Sequence, residues 1–137
     1  MKTTLDRIKK AQECFYEKAK SELLNGYKET HWIWFIFPQL KGIGTSFLSN
    51  YYGLDNLKMA KEYYKDKYLR KHLVEMCKIV LKLKNHEELV ECFGELDTLK
   101  VHACTTLFWY ASGNGIFKKI HKKFFDGLFH EQTVVLL

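Results

Sequence analysis

Residues 31–46 read H-W-I-W-F-I-F-P-Q-L-K-G-I-G-T-S and hold two of the three tryptophans and the single proline of the chain. Large aromatic rings bury so much apolar surface that a segment this rich in them belongs to a hydrophobic core. Polar side chains lie at its edges, at His31, Gln39 and Ser46, and buried polar groups need hydrogen-bond partners. The stretch therefore predicts a core segment that ends in a glycine turn, where a pocket can form.

The aromatic part of this stretch predicts a short helix. We expect Thr30 to cap it, with His31 and Phe35 on one face. Pro38 disfavours helical geometry at Phe37, so the helix should end there. A glycine-rich loop then follows from Gln39 onward.

The rest of the chain has helical periodicity on both sides of this block. Apolar residues recur at three- and four-residue spacing from Leu5 to Leu23 and from Leu69 to Leu83, and Asn25-Gly26 supplies a stop. Asn85 and Asp97 are expected to cap further helices, which Gly94 and Gly113 are expected to end. Strict apolar alternation is absent. The sequence predicts one all-α domain over residues 1–137, a compact bundle of about six to eight short helices.

Composition limits the class of protein. The chain has 137 residues, 47% of them hydrophobic, which suits one soluble domain. Its first residues lack the apolar core of a signal peptide, and the longest apolar run, Trp32–Phe37, is too short for a bilayer. We therefore expect a cytoplasmic protein with no membrane contact. The four cysteines form no C-x-x-C pair and are expected to be free, buried thiols.

The glycine turn is a candidate anion site. Gly42 and Gly44 can adopt positive φ angles, so successive backbone N–H groups can converge on a phosphate or carboxylate. Ser46 is expected to cap the next helix, and Lys41 lies nearby. The alternative is an ordinary structural turn, because G-x-G-x-S without a preceding strand or a P-loop lysine is a common pattern.

Two further sets of residues can carry chemistry. Histidine is the residue type best suited to proton transfer near neutral pH, so His31 is either a pocket acid or base or a hydrogen-bonded structural histidine. Trp32 and Trp34 belong mainly to the core but can also supply an apolar wall to a ligand. Asp97 most simply caps its helix, and Lys100 can line a cleft. In the functional interpretation, both side chains orient or polarise a ligand.

Metal and cofactor motifs are missing from the sequence. The six histidines show no H-x-x-x-H spacing, and no redox-cofactor fingerprint is present, so we expect neither a metal nor a cofactor. The net charge is +6, and a basic run at residues 118–123 reads K-K-I-H-K-K. This run is either a solvated helix face or a contact for an acidic partner.

The block at residues 31–46 strongly resembles a bacterial family known as domain of unknown function 1810, whose members carry H-W-M-W-F-I-F-P-Q-x-x-G-x-G-x-S. The likeness continues through Ser49 and Tyr52, which we add to the expected ligand-binding residues, and spans nearly the whole chain. The resemblance implies a compact, mainly helical domain. Ala103, Thr105 and His130 depart from it, since Ser, Met and an acidic residue are usual there.

Two functions fit these residues. The first is a hydrolase, a transferase or a binder for a phosphorylated or nucleotide-like small molecule, with His31, Asp97 and Lys100 as its catalytic candidates. Its expected ligand-binding residues are Trp32, Trp34, Gln39, Lys41, Gly42, Gly44, Ser46, Ser49 and Tyr52. The alternative is a non-catalytic interaction domain that contacts an acidic protein or nucleic acid through the basic helix; no sequence-reader motif supports nucleic acid.

Overall fold

The fold, known from a computed structural model that describes residues 2–137, is all-α. Nine helices lie within these residues, one more than the upper end of the predicted six to eight. They are α1 (Thr4–Leu24), α2 (Ile33–Ile36), α3 (Phe47–Tyr51), α4 (Leu57–Lys65), α5 (Lys67–Val80), α6 (His86–Phe93), α7 (Glu95–Ser112), α8 (Gly115–Phe124) and α9 (Glu131–Leu136). The predicted all-α architecture is confirmed.

The helix ends follow local chemistry. A capping box joins Thr3 and Asp6 at the start of α1, and Gly26 follows its end with φ +79°. Gly94 and Gly113 end α6 and α7 with φ of +82° and +71°. The stops expected at all three glycines are therefore confirmed.

Helix α7 lies at the centre of the molecule. It packs against α4, α6, α8 and α9, and its buried residues surround most of its circumference. A helix that is apolar on nearly every side must be enclosed by others. Helix α1 packs on α2 and α5 at the other side of the core, so α5 lies between α1 and α8.

The aromatic block contributes much of the core on the α1 side. The ring of Phe93 lies edge-on to Trp32 and Phe37, with centroids 5.9 Å and 5.8 Å away. Trp32 and Phe37 are fully enclosed, whereas Trp34 is only partly buried. The predicted core role of this block is confirmed.

Two predicted caps and one predicted burial were wrong. Trp32 precedes α2 without a side-chain cap, because the Thr30 hydroxyl donates to Glu22 instead. Gly94 precedes α7, so Asp97 lies inside its first turn rather than at its cap. All four cysteines are free, but Cys14 is exposed because it lies on the outer face of α1.

Candidate functional site

The glycine-rich loop after α2 closes on itself. The Lys41 amide donates to the Leu54 carbonyl and the Leu54 amide donates to the Gln39 carbonyl, both at 2.9 Å. Gly53 is needed at this closure, since a Cβ there would lie 2.6 Å from the Ser49 carbonyl oxygen and 3.2 Å from the Cα of Lys41. The two ends of the loop are therefore held together by backbone contacts.

The predicted anion cradle is only partly formed in this loop. Gly42 has φ +96°, but Gly44 has no positive φ. Ser46 caps α3 as expected, accepting from the Ser49 amide at 3.1 Å, and its hydroxyl donates to the Ser49 hydroxyl at 2.9 Å. Helix α3 has only five residues, and the Ser49 amide is already used. The loop therefore offers few free donors to an anion.

The remaining loop residues are mostly engaged with protein. Lys41 forms an exposed ion pair with Asp55 at 2.8 Å. A Cβ on Gly44 would contact the Ser49 side chain and would lie 3.4 Å from Nε2 of Gln39. Gln39 is buried, and its Oε1 has no hydrogen-bond partner in the part of the chain described. A role for these residues in binding a ligand stays a prediction.

His31 lies at a different place, on a small hollow beside α1. The hollow has a volume of about 220 Å³, and Phe15, Lys18, Thr30, Trp32 and Phe35 form the rest of its lining. The His31 side chain is exposed. Neither Asp97 nor Lys100 lines this hollow, so the three predicted catalytic residues do not share one cavity.

Glu22 fixes the position of the segment before α2. Its carboxylate accepts from the Glu29 and Thr30 amides, the Thr30 hydroxyl and Nε1 of Trp32, at 2.7–3.0 Å. Burial on its own would raise the pKa of Glu22, but the hydrogen bonds from Thr30, Trp32 and Glu29 outweigh it and lower the pKa to about 2. Glu22 is therefore an ionised anchor, and the sequence pattern did not point to it.

Asp97 and Lys100 form an ion-pair network with Lys28. The Asp97 carboxylate lies 2.9 Å from Nζ of Lys28 and 3.2 Å from Nζ of Lys100. Nζ of Lys28 also lies 5.2 Å from the centroid of the Trp32 ring. These charges therefore join the start of α7 to the aromatic block.

Tyr52 lines a second small hollow on the same side of α1. This hollow has a volume of about 210 Å³, and Phe15 belongs to it as well as to the hollow at His31. The ring of Tyr52 lies 5.3 Å from that of Phe35. The predicted site residues therefore occupy the glycine loop, the two hollows at Phe15 and the Asp97 network, rather than one cavity.

Two of the three departures from the family pattern, Thr105 and His130, lie in a cluster with His102 and His121. His130 caps α9 with its ring, which lies 2.8 Å from the Thr133 hydroxyl. The Thr105 hydroxyl lies 3.0 Å from Nε2 of His121 and donates to the Val101 carbonyl. Burial lowers the pKa of His130 and, with help from His102, lowers that of His121 to about 4. Ala103, the third departure, is buried.

A cavity larger than either hollow is a groove along α5, which none of the predicted site residues lines. Its volume is about 860 Å³, within the range of small-molecule sites. Five cations and one carboxylate, Glu75, line it together with apolar and neutral side chains. The lining residues are Lys20, Leu24, Tyr64, Arg70, Lys71, Val74, Glu75, Lys78, Ile79, Lys82 and Asn114. We call this cavity the α5 groove.

Hydrogen bonds hold the walls of the α5 groove. The Arg70 guanidinium donates to the Tyr64 carbonyl at 3.1 Å, and the Asn114 amide donates to the Tyr64 hydroxyl at 2.9 Å. Glu75 accepts from the Tyr16 hydroxyl at 2.5 Å and pairs with Lys20 at 3.3 Å. The Tyr16 and Lys20 contacts lower the pKa of Glu75, while burial and Glu75 raise the pKa of Tyr16.

The residues of the α5 groove form no compact sequence motif, so they were not among the predicted site residues. The available signal was the spacing of Lys71, Val74 and Lys78, which puts two cations and an apolar residue on one face of a helix. The cavity itself forms only because α1 and α4 border that face. Spacing along α5 could identify the cations but not their neighbours.

The basic run on α8 has the alternation expected of a surface helix. Lys118, Lys119, Lys122 and Lys123 are exposed, whereas Ile120 and His121 are buried. Nζ of Lys118 lies 4.5 Å from the centroid of the Trp109 ring. The lysines thus form an open basic face. Across residues 2–137, none of the helices is both long enough and apolar enough to cross a bilayer.

The architecture defines a class of protein: a small all-helical domain with a largely buried aromatic block, a glycine loop closed by backbone contacts and a basic groove along α5. The chain belongs to the family described as protein of unknown function DUF1810, which matches residues 2–137. The resemblance seen in residues 31–46 is thereby confirmed.

One solved structure shows the same fold at high similarity. The conserved hypothetical protein Rv1873 from Mycobacterium tuberculosis is 36% identical to this chain, with a TM-score of 0.92. The match covers 97% of this chain and 95% of that one. No curated protein matches the chain.

Proposed function

We propose that this protein binds a phosphorylated or nucleotide-like small molecule, and that the α5 groove holds it. The observation that carries the proposal is the charge of the groove, five cations against one carboxylate. The only carboxylate, Glu75, is already paired with Lys20. The positive charge that remains attracts an anion into a concave site, where field lines are focused.

The arrangement of the cations suits a ligand with more than one anionic group. Lys71 and Lys78 are seven residues apart on α5, so they lie on one face and are separated by roughly 10 Å along the axis. Both are exposed. Arg70 is held at the groove by the Tyr64 carbonyl, so less side-chain entropy is lost when it contacts a phosphate.

Apolar groups in the groove favour a ligand that also has an uncharged body. Val74 is partly buried and Ile79 is buried, and both line the cavity together with the ring of Tyr64. Small-molecule sites commonly combine such apolar surface with a few charged groups. A nucleotide or a sugar phosphate has both parts, whereas a simple inorganic anion has only one.

For the α5 groove we propose ligand binding rather than catalysis. A general base works best when its pKa lies near the operating pH. The pKa of Glu75 is instead lowered by the Tyr16 hydrogen bond and by Lys20, so its carboxylate is a weak base. The groove therefore supports recognition of an anion better than hydrolysis or group transfer.

The test is a thermal-shift titration with ATP, pyrophosphate and fructose 1,6-bisphosphate, with glucose as the uncharged comparison. A ligand at a hundred times its Kd should raise Tm by roughly 5–10 °C. The double variant K71Q/K78Q should weaken binding by about 10- to 100-fold.

The matched control is K119Q/K122Q, which removes the same charge from the exposed face of α8. It should bind as the unmodified protein does. The proposal fails if none of the three anions raises Tm, or if both double variants lose binding equally, because the attraction would then reflect net charge rather than the groove.

A further inference from the structure

A second surface, separate from the α5 groove, combines cations with exposed aromatic rings. It consists of the two hollows that share Phe15 on the outer face of α1, and we call it the Phe15 cleft. Its lining includes Arg7, Lys10, Phe15, Lys18, Tyr51 and Tyr52 and contains no carboxylate among the described residues.

One face of α1 runs along the whole cleft. Arg7, Lys10, Cys14, Phe15 and Lys18 recur at helical spacing, so they face the same way. Arg7 and Lys18 are eleven positions apart, a distance of about 16 Å along the axis. The cleft is therefore an elongated basic strip rather than a single cavity.

Aromatic rings are exposed at the middle and at one end of this strip. Phe15 is 52% exposed and Tyr51 is 39% exposed. Phe47, which is 76% exposed, stacks on Tyr51 with centroids 5.5 Å apart and an interplanar angle of 21°. A single exposed ring is ordinary, but a group of neighbouring exposed rings marks a candidate interaction surface.

The end of the strip at Tyr51 is fixed in place. The guanidinium of Arg7 lies 4.6 Å from the centroid of the Tyr51 ring, and its Nε donates to the Tyr51 carbonyl at 3.2 Å. The same guanidinium also donates to Thr4 and to the Lys2 carbonyl. The stacked pair of Phe47 and Tyr51 is thereby preorganised as one aromatic surface, so little freedom is lost when a base contacts it.

We infer that the Phe15 cleft binds a short stretch of single-stranded nucleic acid. Proteins that bind single strands combine a basic groove that follows the phosphates with aromatic rings on which successive bases stack. Each hollow is about 210–220 Å³, below the usual size of a complete small-molecule site, but suited to one planar ring. Two such hollows on either side of Phe15 match successive bases.

The charges on the cleft favour the phosphates of such a strand. Lys10 and Lys18 form no ion pair among the described residues, and both are exposed. A phosphate of the strand can therefore pair with either lysine without breaking an existing contact. A duplex hides its bases from Phe15 and Tyr51, so it should bind less well than a single strand.

Fluorescence anisotropy with a labelled 12-nucleotide poly-dT strand at 50 mM salt tests the inference. Phe15→Ala should weaken binding by about 5- to 150-fold, the range measured for loss of one stacking ring. Lys10→Gln should reduce the slope of log K against log salt by about 0.7, because one phosphate contact is lost. Circular dichroism checks that both variants are folded.

Three comparisons locate the strand. K119Q/K122Q and K71Q/K78Q should bind poly-dT as the unmodified protein does, because neither pair lies in the Phe15 cleft. An unlabelled duplex of dT12 paired with dA12 should compete poorly. The mononucleotide dTMP should also compete poorly. Since K71Q/K78Q affects only the α5 groove, failure of the groove proposal is distinguishable from failure here.

Several outcomes would overturn the inference. Absence of measurable binding, or unchanged affinity in Phe15→Ala, would exclude the cleft. Equal competition by the duplex would show that only net charge is recognised. Equal competition by dTMP, per nucleotide, would make the ligand a mononucleotide. Loss of binding in K71Q/K78Q or K119Q/K122Q would place the strand elsewhere.

Discussion

The glycine loop and the α5 groove differ in how their polar groups are satisfied. In the loop, backbone amides at Lys41 and Leu54 close the two ends, and Ser46 and Ser49 bond to each other. In the groove, Lys71 and Lys78 extend from α5 without a carboxylate partner among the described residues. The loop is closed by its own contacts, and the groove has positive charge left for a ligand.

This difference separates the most conspicuous motif of the chain from the surface that we propose for ligand binding. Aromatic rings and glycines form a recognisable motif because few other residues can replace them. Close packing alone is enough to require them. Lysines on a helix surface form no such motif, yet their charge is what an anionic ligand would meet. Substitutions in each region in turn test whether the loop serves stability and the groove serves a ligand.

The largest effect is expected from Gly53→Ala in the loop. The added Cβ would lie 2.6 Å from the Ser49 carbonyl oxygen, a backbone atom that cannot move without opening the loop. We expect the free energy of unfolding to fall by about 3 kcal/mol, the upper end of the usual range for overpacking in a core. Urea denaturation measures this loss.

Gly115→Ala is the matched control for that variant. A Cβ at Gly115 meets nothing within 4 Å, and its φ is not positive. Because alanine favours the helix more than glycine, stability should rise by about 0.5 kcal/mol. If Gly53→Ala is as well tolerated as this control, the loop is not closed as described.

Glu22→Gln should have the next largest effect. The change removes the charge that four donors share and places an amide N–H₂ against some of them. We expect a loss of roughly 2–3 kcal/mol at pH 7, measured by urea denaturation. A loss below about 0.5 kcal/mol would contradict the anchoring role of Glu22.

The pH dependence separates the charge of Glu22 from its shape. Its pKa is lowered from 4.5 to about 2 in the folded protein, so its ionised form stabilises the fold above about pH 4.5. That contribution is lost as pH falls from about 4.5 toward 2. The difference in stability between the unmodified protein and Glu22→Gln should therefore shrink over this window, and a constant difference would contradict it.

The parts of the fold that the sequence could predict depend on neighbouring residues. The helix stops at Gly26, Gly94 and Gly113 were predictable because a positive φ is a local requirement that glycine meets. Ser46 was likewise recognisable as a cap from its own position before α3. Caps and glycine stops depend on residues that are close together in the sequence, so the sequence is enough to predict them.

The parts that could not be predicted depend on partners far away in the chain. Thr30 looked like a cap, but Glu22, eight residues earlier, takes its hydroxyl. The α5 groove requires Lys20 of α1 to lie beside Glu75, fifty-five residues later. Periodicity identifies which face of each helix is buried, but it does not identify which helix covers it, so the groove was invisible in the sequence.

The smallest effect on stability is expected from Lys82→Gln at the end of the α5 groove. Lys82 is exposed and forms no ion pair among residues 2–137, so its loss should change the free energy of unfolding by less than about 0.5 kcal/mol. Any change should become smaller as salt rises toward 1 M, because screening weakens interactions between exposed charges. The same variant should weaken ATP binding measurably in the thermal-shift assay at low salt. A lysine that contributes to ligand binding but not to the stability of the fold would distinguish the groove from the loop. A large loss of stability in Lys82→Gln would contradict that distinction.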